Sequence, residues 1–149
     1  MKIVPLCEAD AKELSELDKK CFSVPWSEKS FFDESHNKLA VYFVAKEDGA
    51  IIGYAGYWNV AGEGCITNIA VIPEKRRMGI GKKLIEDMIK SAKELDLSLL
   101  TLEVRESNTA AISLYKSFGF EELGKRKNYY TNPVEDALIM TLYFGGIYG

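Results

Sequence analysis

The chain has 149 residues, of which 47% are apolar and 28% charged, and a formal net charge of −3. That length suits one domain able to bury roughly 68–70% of its unfolded surface. Ordinary apolar content with low net charge excludes disorder, and no run approaches the ~20 apolar residues that a membrane-crossing helix needs. The opening MKIVPLCEADAKEL has neither the long apolar run nor the small-residue cleavage site of a secretory leader. Cys7, Cys21 and Cys65 are an odd number without CxxC spacing, so reduced, buried thiols of a cytoplasmic protein are expected. One histidine, His36, and no Cys/His cluster predict no metal site.

In chain order, Lys2 to Leu6 predicts a strand. Ala9 to Cys21 predicts a helix, because Ala11, Leu14, Leu17 and Cys21 recur at helical spacing. Pro25-Trp26-Ser27 is a turn, with Ser27 capping a short helix to about Ser35; His36 is then a surface residue near that helix end. Leu39 to Lys46 and Ile51 to Asn59 predict two strands joined by a tight Glu47-Asp48-Gly49 hairpin turn. Another strand runs from Gly64 to Ile72 and stops at Pro73. Gly79 to Leu95 carries the clearest helical stripe, formed by Leu84, Ile85, Met88, Ile89, Ala92 and Leu95. Ser98 to Val104 is nearly continuously apolar, as in a central strand covered on both faces. Asn108 caps a last helix that Gly119 stops, and Phe120 to Lys127 and Ala137 to Tyr143 are the closing strands. The order predicts an α/β domain spanning 1–149: a mixed, mostly antiparallel sheet of about seven strands with about four helices on both faces.

Charge is unevenly spread. Pro73 to Lys83 reads PEKRRMGIGKK, a local charge of +4 that leaves −7 for the rest of the chain. A basic loop on an acidic body suggests a local anion site and not a nucleic-acid surface. Between a strand and a helix start, Arg76-Arg77-Met78-Gly79-Ile80-Gly81 offers unpaired backbone N–H groups, two glycines that let an anion approach, and flanking cations. A Walker A loop fails here, since Lys83 stands at the Ser/Thr position and Arg76 at the first glycine. A dinucleotide fingerprint fails at Leu84, although Glu103 lies near the acidic ribose-binding position. An acyl-CoA pyrophosphate loop, [QR]-x-x-G-x-[GA], is satisfied in full by Arg76, Gly79 and Gly81; the bland alternative is a charged loop solvating a helix start.

The strand Asn68-Ile69-Ala70-Val71-Ile72-Pro73, the R-x-x-G-x-G loop and the run Ser107-Asn108 to Leu114-Tyr115 to Gly119-Phe120 follow in the order of the GNAT superfamily of N-acetyltransferases, which the chain resembles from about residue 3 to 143. Leu102-Glu103-Val104-Arg105, Asn128-Tyr129-Tyr130 and Glu135-Asp136-Ala137 more narrowly resemble its ribosomal-protein-alanine (RimI-type) branch. The resemblance implies a GNAT-like fold, acetyl-CoA as co-substrate without a metal, and a ribosomal protein's N-terminal alanine as acceptor, with no direct nucleic-acid or membrane partner. A lysine side chain or polyamine acceptor, or a noncatalytic CoA-binding module, are the alternatives.

Residue by residue, the resemblance makes Glu103 the base, whereas position alone equally allows a salt-bridge partner for Arg105 or another surface cation. Tyr115 shares a helix face with Ala111, Leu114 and Phe118 and reads as core; the resemblance assigns it to protonate the leaving thiolate. Asn108 is explained as a cap, and the resemblance adds a contact to the CoA arm. Ile69, Ala70 and Val71 would offer backbone groups to the pantetheine, and Arg76, Arg77, Met78, Gly79, Ile80, Gly81 and Lys82 would wrap the pyrophosphate. Trp26, Tyr129 and Tyr130 are implied as peptide contacts, with a satellite-core lid as the rival account of Trp26 and a strand-end pair as that of the tyrosines. Lys125, Arg126 and Lys127 read as a solvated strand edge. The tail Phe144 to Gly149 departs from the family's pattern and reads as mobile or as an extra contact.

Overall fold

The structure, a computed structural model, describes residues 1–145. Strands β1 (Lys2–Pro5), β2 (Ala40–Glu47), β3 (Ala50–Val60), β4 (Glu63–Val71), β5 (Leu99–Arg105), β6 (Glu121–Tyr130) and β7 (Glu135–Tyr143) are joined by helices α1 (Ala11–Cys21), α2 (Glu28–Ser35), α3 (Ile80–Glu94) and α4 (Thr109–Ser117). They form one seven-stranded sheet in the order β1-β2-β3-β4-β5-β7-β6. Only β4 and β5 run parallel; every other neighbouring pair is antiparallel. Among the described residues no helix is long and apolar enough to cross a membrane.

Local chemistry sets the element ends where the sequence expects them. Ser27 Oγ accepts the Ser30 N–H at 3.1 Å and starts α2. Asn108 Oδ1 does the same for Ala111 at 3.2 Å and starts α4. Asp48 and Gly49 both take left-handed φ, 52° and 82°, which gives the β2–β3 hairpin the twist its strands need. The expected first helix begins with a 3-10 turn, Glu8–Asp10, before α1 proper. β6 runs on past Lys127 to Tyr130, because the pairing slips between Arg126 and Tyr130 and Asn128 turns left-handed at φ 54°.

Two cores lie on opposite faces of the sheet. On one, Leu84, Ile85, Met88 and Ala92 of α3 pack on Ala55, Tyr57, Ile66, Leu100 and Leu102. On the other, Leu14 and Leu17 of α1 and Phe31 of α2 pack on Tyr42, Val44 and Tyr54. Helices α1 and α2 cover β2, β3 and β4 and leave that face of β5, β7 and β6 bare. Strand β5 is therefore not covered on both faces: Leu100, Leu102 and Val104 are buried, while Leu99, Thr101, Glu103 and Arg105 alternate to the half-exposed face. The apolar run suggested a doubly covered strand because Leu99 and Thr101 do not break the pattern.

Cys7 is exposed and Cys21 and Cys65 are half-buried, all three as free thiols, which corrects the expectation of buried ones. Phe144 is tied down: its N–H donates to the Ser98 carbonyl at 3.0 Å and its ring packs against the α3 core. Phe144 thus takes the extra-contact alternative expected for the tail, Gly145 is exposed, and residues 146–149 lie outside the described residues.

Gly56 must be glycine for space. A Cβ there would meet the ring of buried Tyr42 at 2.4 Å. Gly56→Ala is expected to destabilise the fold by about 1–3 kcal/mol, the usual cost of overpacking a core, read as a lower urea midpoint; an unchanged midpoint would contradict the packing described.

Candidate active site

Pairing between β4 and β5 covers only Glu63↔Leu99, Gly64↔Leu100 and Cys65↔Thr101. Beyond that the strands part, and a cavity of about 630 Å³ opens between them. Thr67, Asn68 and Ile69 of β4 line one side, and Glu103, Val104 and Arg105 of β5 the other. Asn108 and Tyr115 of α4 reach it from the α3 side of the sheet. Tyr129 and Tyr130 with the loop Thr131 to Pro133 form one rim, and Cys21 to Val24 after α1 form the opposite one.

The parting strand β4 carries unpaired backbone. Ile72 N–H donates to the Ile52 carbonyl at 2.9 Å. Antiparallel alternation then points Ala70 at Tyr54 of β3 and turns the N–H and C=O of Ile69 and Val71 toward the gap. The Val71 carbonyl is met there by Arg76 Nε at 3.0 Å and Cys21 Sγ at 3.5 Å. Burial pushes the Cys21 thiol up, so it stays protonated as that donor.

Between β4 and α3, Pro73–Lys75 form a 3-10 turn, and Arg77 and Gly79 take left-handed φ of 64° and 80°. Such turns bring successive N–H groups to one side as an anion-binding concavity. Among the described residues, the N–H groups of Arg77 through Lys82 donate to no protein acceptor; Arg76 N–H goes to the Pro73 carbonyl at 3.4 Å, and the helix ladder opens with Lys83 N–H on the Gly79 carbonyl at 3.0 Å. Arg76 therefore does not contribute its amide to the expected cradle.

Glu103 opens on the cavity and also accepts from Arg126 Nε at 3.1 Å, so the ion-pair account of it holds, with Arg126 and not Arg105 as the cation. Arg105 serves the rim: it donates to the carbonyls of Pro133 and Thr131 at 3.0 Å, pairs with Glu135 at 3.3 Å, and lies 4.5 Å over the Tyr130 ring. Burial pushes the Tyr130 phenol up to about 12. The Tyr115 phenol is raised further by burial, packs against Phe120, and its hydroxyl bonds to no group among the described residues. Lys125 is engaged by Glu106 at 2.6 Å, so the expected solvated edge is ion-paired at two of its three cations.

The cavity thus gathers Ile69, Glu103, Asn108, Tyr115, Tyr129 and Tyr130 of the sequence-predicted set. Ala70, Val71 and Arg76 to Lys82 lie outside its wall. Trp26 does not line it either: its ring packs on Phe31 and Tyr42 over the α1–α2 core, at 5.4 and 6.4 Å. The turn reaches the cavity through Cys21 to Val24 instead, where Phe22 and Val24 are exposed. Sequence reasoning missed these, along with Asn68, Arg105 and Thr131 to Pro133; an arginine ending a buried strand was the one available signal.

Residues 11–120 match the family model described as Acetyltransferase (GNAT) family. The chain belongs to the GNAT acetyltransferase family. A Bacillus subtilis protein provisionally named a [ribosomal protein bS18]-alanine N-acetyltransferase is 44% identical over 132 residues, 88% of this chain and 87% of its own. The Escherichia coli K12 [ribosomal protein bS18]-alanine N-acetyltransferase is 38% identical over 128 residues, 85% of this chain and 86% of its own. A solved Escherichia coli ribosomal-protein-alanine N-acetyltransferase superposes with TM-score 0.89 at 35% identity, covering 98% of this chain and 96% of that one. As a GNAT acetyltransferase, the protein is an acetyl-CoA-dependent N-acetyltransferase.

In this acetyltransferase Glu135 ties the cavity rim to α4. Its carboxylate accepts the Ser107 N–H at 2.6 Å and an Arg105 N–H at 3.3 Å, and these hold its pKa below the usual carboxylate range. A depressed folded pKa stabilises the fold above the unfolded carboxyl value of ~4.3, and that contribution is lost as pH falls through the folded value. Glu135→Gln is therefore expected to lower the melting temperature at pH 7, with the gap to wild type closing as pH drops below about 4. A gap constant across pH in thermal melts would refute the pairing.

Proposed function

We propose that this enzyme transfers acetyl from acetyl-CoA to the N-terminal α-amine of a protein, the alanine that begins ribosomal protein bS18, by direct attack in a ternary complex in the cytoplasm. The observation that carries the reading is that a carboxylate and a phenol open on one cavity from opposite faces of a parted sheet. Glu103 comes from the bare face of β5 and Tyr115 from the α3 side. The names of the relatives support the acceptor.

The residues fit acetyl-CoA as donor. The unengaged N–H groups of Arg77 to Lys82, with their left-handed turns and flanking cations, suit the diphosphate. The outward N–H groups of Ile69 and Val71 and the Ile69 C=O suit an extended amide-bearing arm laid along β4 like an added strand. Asn108 spends Oδ1 on its cap and keeps its NH2 as a donor toward the cavity.

The acceptor amine must lose a proton to attack. An α-amine of pKa ~7.7–8.0 needs about 1 kcal/mol for this at neutral pH, a lysine of ~10.4 several times more. A carboxylate therefore suffices for an N-terminus: Glu103 takes the proton from the ammonium, directly or through a water, and the freed nitrogen bonds to the acyl carbon. As the C–S bond breaks, Tyr115 donates its hydroxyl hydrogen bond to the developing thiolate, and the second proton that the nitrogen sheds after attack passes to that sulfur, so coenzyme A leaves as the thiol. The raised pKa of Tyr115 keeps it protonated and makes full transfer to a thiolate of pKa ~8.5 uphill, so charge stabilisation is its main contribution. Tyr129 and Tyr130, with rings 5.1 Å apart edge to face, contact the peptide at the rim.

Glu103→Gln and Tyr115→Phe are each expected to lower kcat by about 10²–10⁴-fold with the KM for acetyl-CoA little changed; twofold effects would refute the roles. Incubating bS18 with the enzyme and acetyl-CoA should add one acetyl mass to the first residue in intact-mass and fragment analysis. A lysine-only peptide or a polyamine acetylated in preference would overturn the acceptor, and donor binding without any turnover would leave a CoA-binding module.

A further inference from the structure

Asn68 lines the cavity, and a buried chain of hydrogen bonds fixes which way its amide faces. Asp18 and Tyr54 are each 1% exposed. The Asp18 carboxylate accepts the Trp26 N–H at 2.8 Å on one oxygen and the Tyr54 hydroxyl at 2.5 Å on the other. Asn68 Nδ2 donates to the Tyr54 oxygen at 3.0 Å. Burial raises the Asp18 carboxyl pKa, and the hydrogen bonds from Tyr54 and Trp26 oppose that by favouring its ionised form. An ionised carboxylate only accepts, so Tyr54 spends its one proton on Asp18 and offers Asn68 a lone pair. Only the NH2 end of the amide satisfies a lone pair; the flipped amide would set two acceptors against each other. Oδ1 is thereby turned away from Tyr54. No donor among the described residues reaches it, and no buried side-chain polar atom there lacks a partner, so Oδ1 is accessible in the cavity that Asn68 lines.

The geometry points to Asn68 Oδ1 as a second acceptor that grips the substrate's α-amine together with Glu103, with Tyr54 and Asp18 as positioning residues that hold the amide in the gripping orientation. This rests on the α-amine reading above. Asn68 shares its sheet face with Ala70 and Tyr54, the face to which Glu103 also alternates from β5. The two side chains thus approach one cavity on one face from the two parted strands. An α-ammonium has three N–H groups. Glu103 receives one as the proton to be removed, Asn68 holds a second, and the lone pair set free on deprotonation is fixed in direction by what remains held. A neutral amide suits this work. A second carboxylate would stabilise the ammonium and raise the cost of deprotonation, whereas an amide oxygen accepts from the charged and neutral amine alike.

The test is a binding cycle that needs no turnover. An alanine-starting bS18 peptide and its des-amino analogue, with propionyl in place of alanine, are titrated by calorimetry into wild type, Asn68→Ala and Tyr54→Phe, each with coenzyme A present. Wild type is expected to prefer the amine-bearing peptide, and Asn68→Ala to lose about tenfold or more of that preference, as for a hydrogen bond to a charged group. Affinity for the des-amino analogue should hold. Asn68 is half-exposed, so its truncation decides the matter even if Tyr54→Phe, which unseats a buried carboxylate, fails to fold. A folded Tyr54→Phe should lose several-fold of the amine preference. Asn68→Ala keeping the wild-type preference, or losing affinity for both peptides equally, overturns the grip; a folded Tyr54→Phe with full preference overturns the positioning. A wild type that ignores the amine overturns the α-amine reading itself and this inference with it.

Discussion

Parallel pairing between β4 and β5 ends at Cys65 and Thr101, and the site exists because it ends there. The cause lies on the other edge of β4. Its register with β3 shifts between Gly56 and Tyr57, where Thr67 is the extra residue. A bulge bends its strand and increases the local twist, which carries the rest of β4 away from β5. The bulge is held: Thr67 bonds the Tyr42 hydroxyl and the Gly56 carbonyl, and the Tyr42 ring lies where any side chain at position 56 would go. Core packing on the α1–α2 side is thus what keeps the sheet open.

An opened sheet leaves polar backbone facing a cavity, and buried groups of that kind each cost about 1–3 kcal/mol when unsatisfied. The Val71 carbonyl is met from within by Arg76 and Cys21. The outward groups of Ile69 and the free amides of Arg77 to Lys82 are left to water or to a bound molecule. The same parting lets groups from two faces of one sheet reach a single space, which a continuous sheet forbids, because its alternating side chains never meet through the backbone layer. Glu103 and Asn68 stand on one side of that layer and Tyr115 on the other.

Much of this was legible in the residues. Ser27, Asp48-Gly49, Asn108 and Gly119 act through local backbone chemistry that needs no knowledge of the fold, and each sits where the sequence predicts. The helical stripe of α3 is likewise local in origin. What failed was what depends on tertiary placement. Trp26 had two sequence readings, peptide contact and satellite-core lid; the structure gives the lid, since Asp18 takes its N–H and Phe31 its ring, and the loop shows Cys21 to Val24 to the cavity instead. Asn68 carried no signal, since the partners that aim it, Tyr54 and Asp18, lie 14 and 50 residues away in sequence from it. Arg105 was read as a possible mate for Glu103, yet the two alternate on a face where Glu135 and Arg126 stand closer to each in turn.

That pairing pattern bears on how an acidic protein recognises a cation. Glu103 is engaged by Arg126 in a pair whose side chains are 28% and 55% exposed. Pairs so open to solvent contribute at most about 1 kcal/mol, and Arg126 has the Tyr129 ring at 5.9 Å as a second resting place. Glu103 is therefore loosely held, able to exchange a guanidinium for an ammonium at little cost. Arg105 behaves in the opposite way, with two carbonyls, a carboxylate and an aromatic face around one guanidinium. Two arginines beside one cavity thus divide the labour: the one with many partners fixes the rim, and the one with few holds its carboxylate only loosely at the cavity.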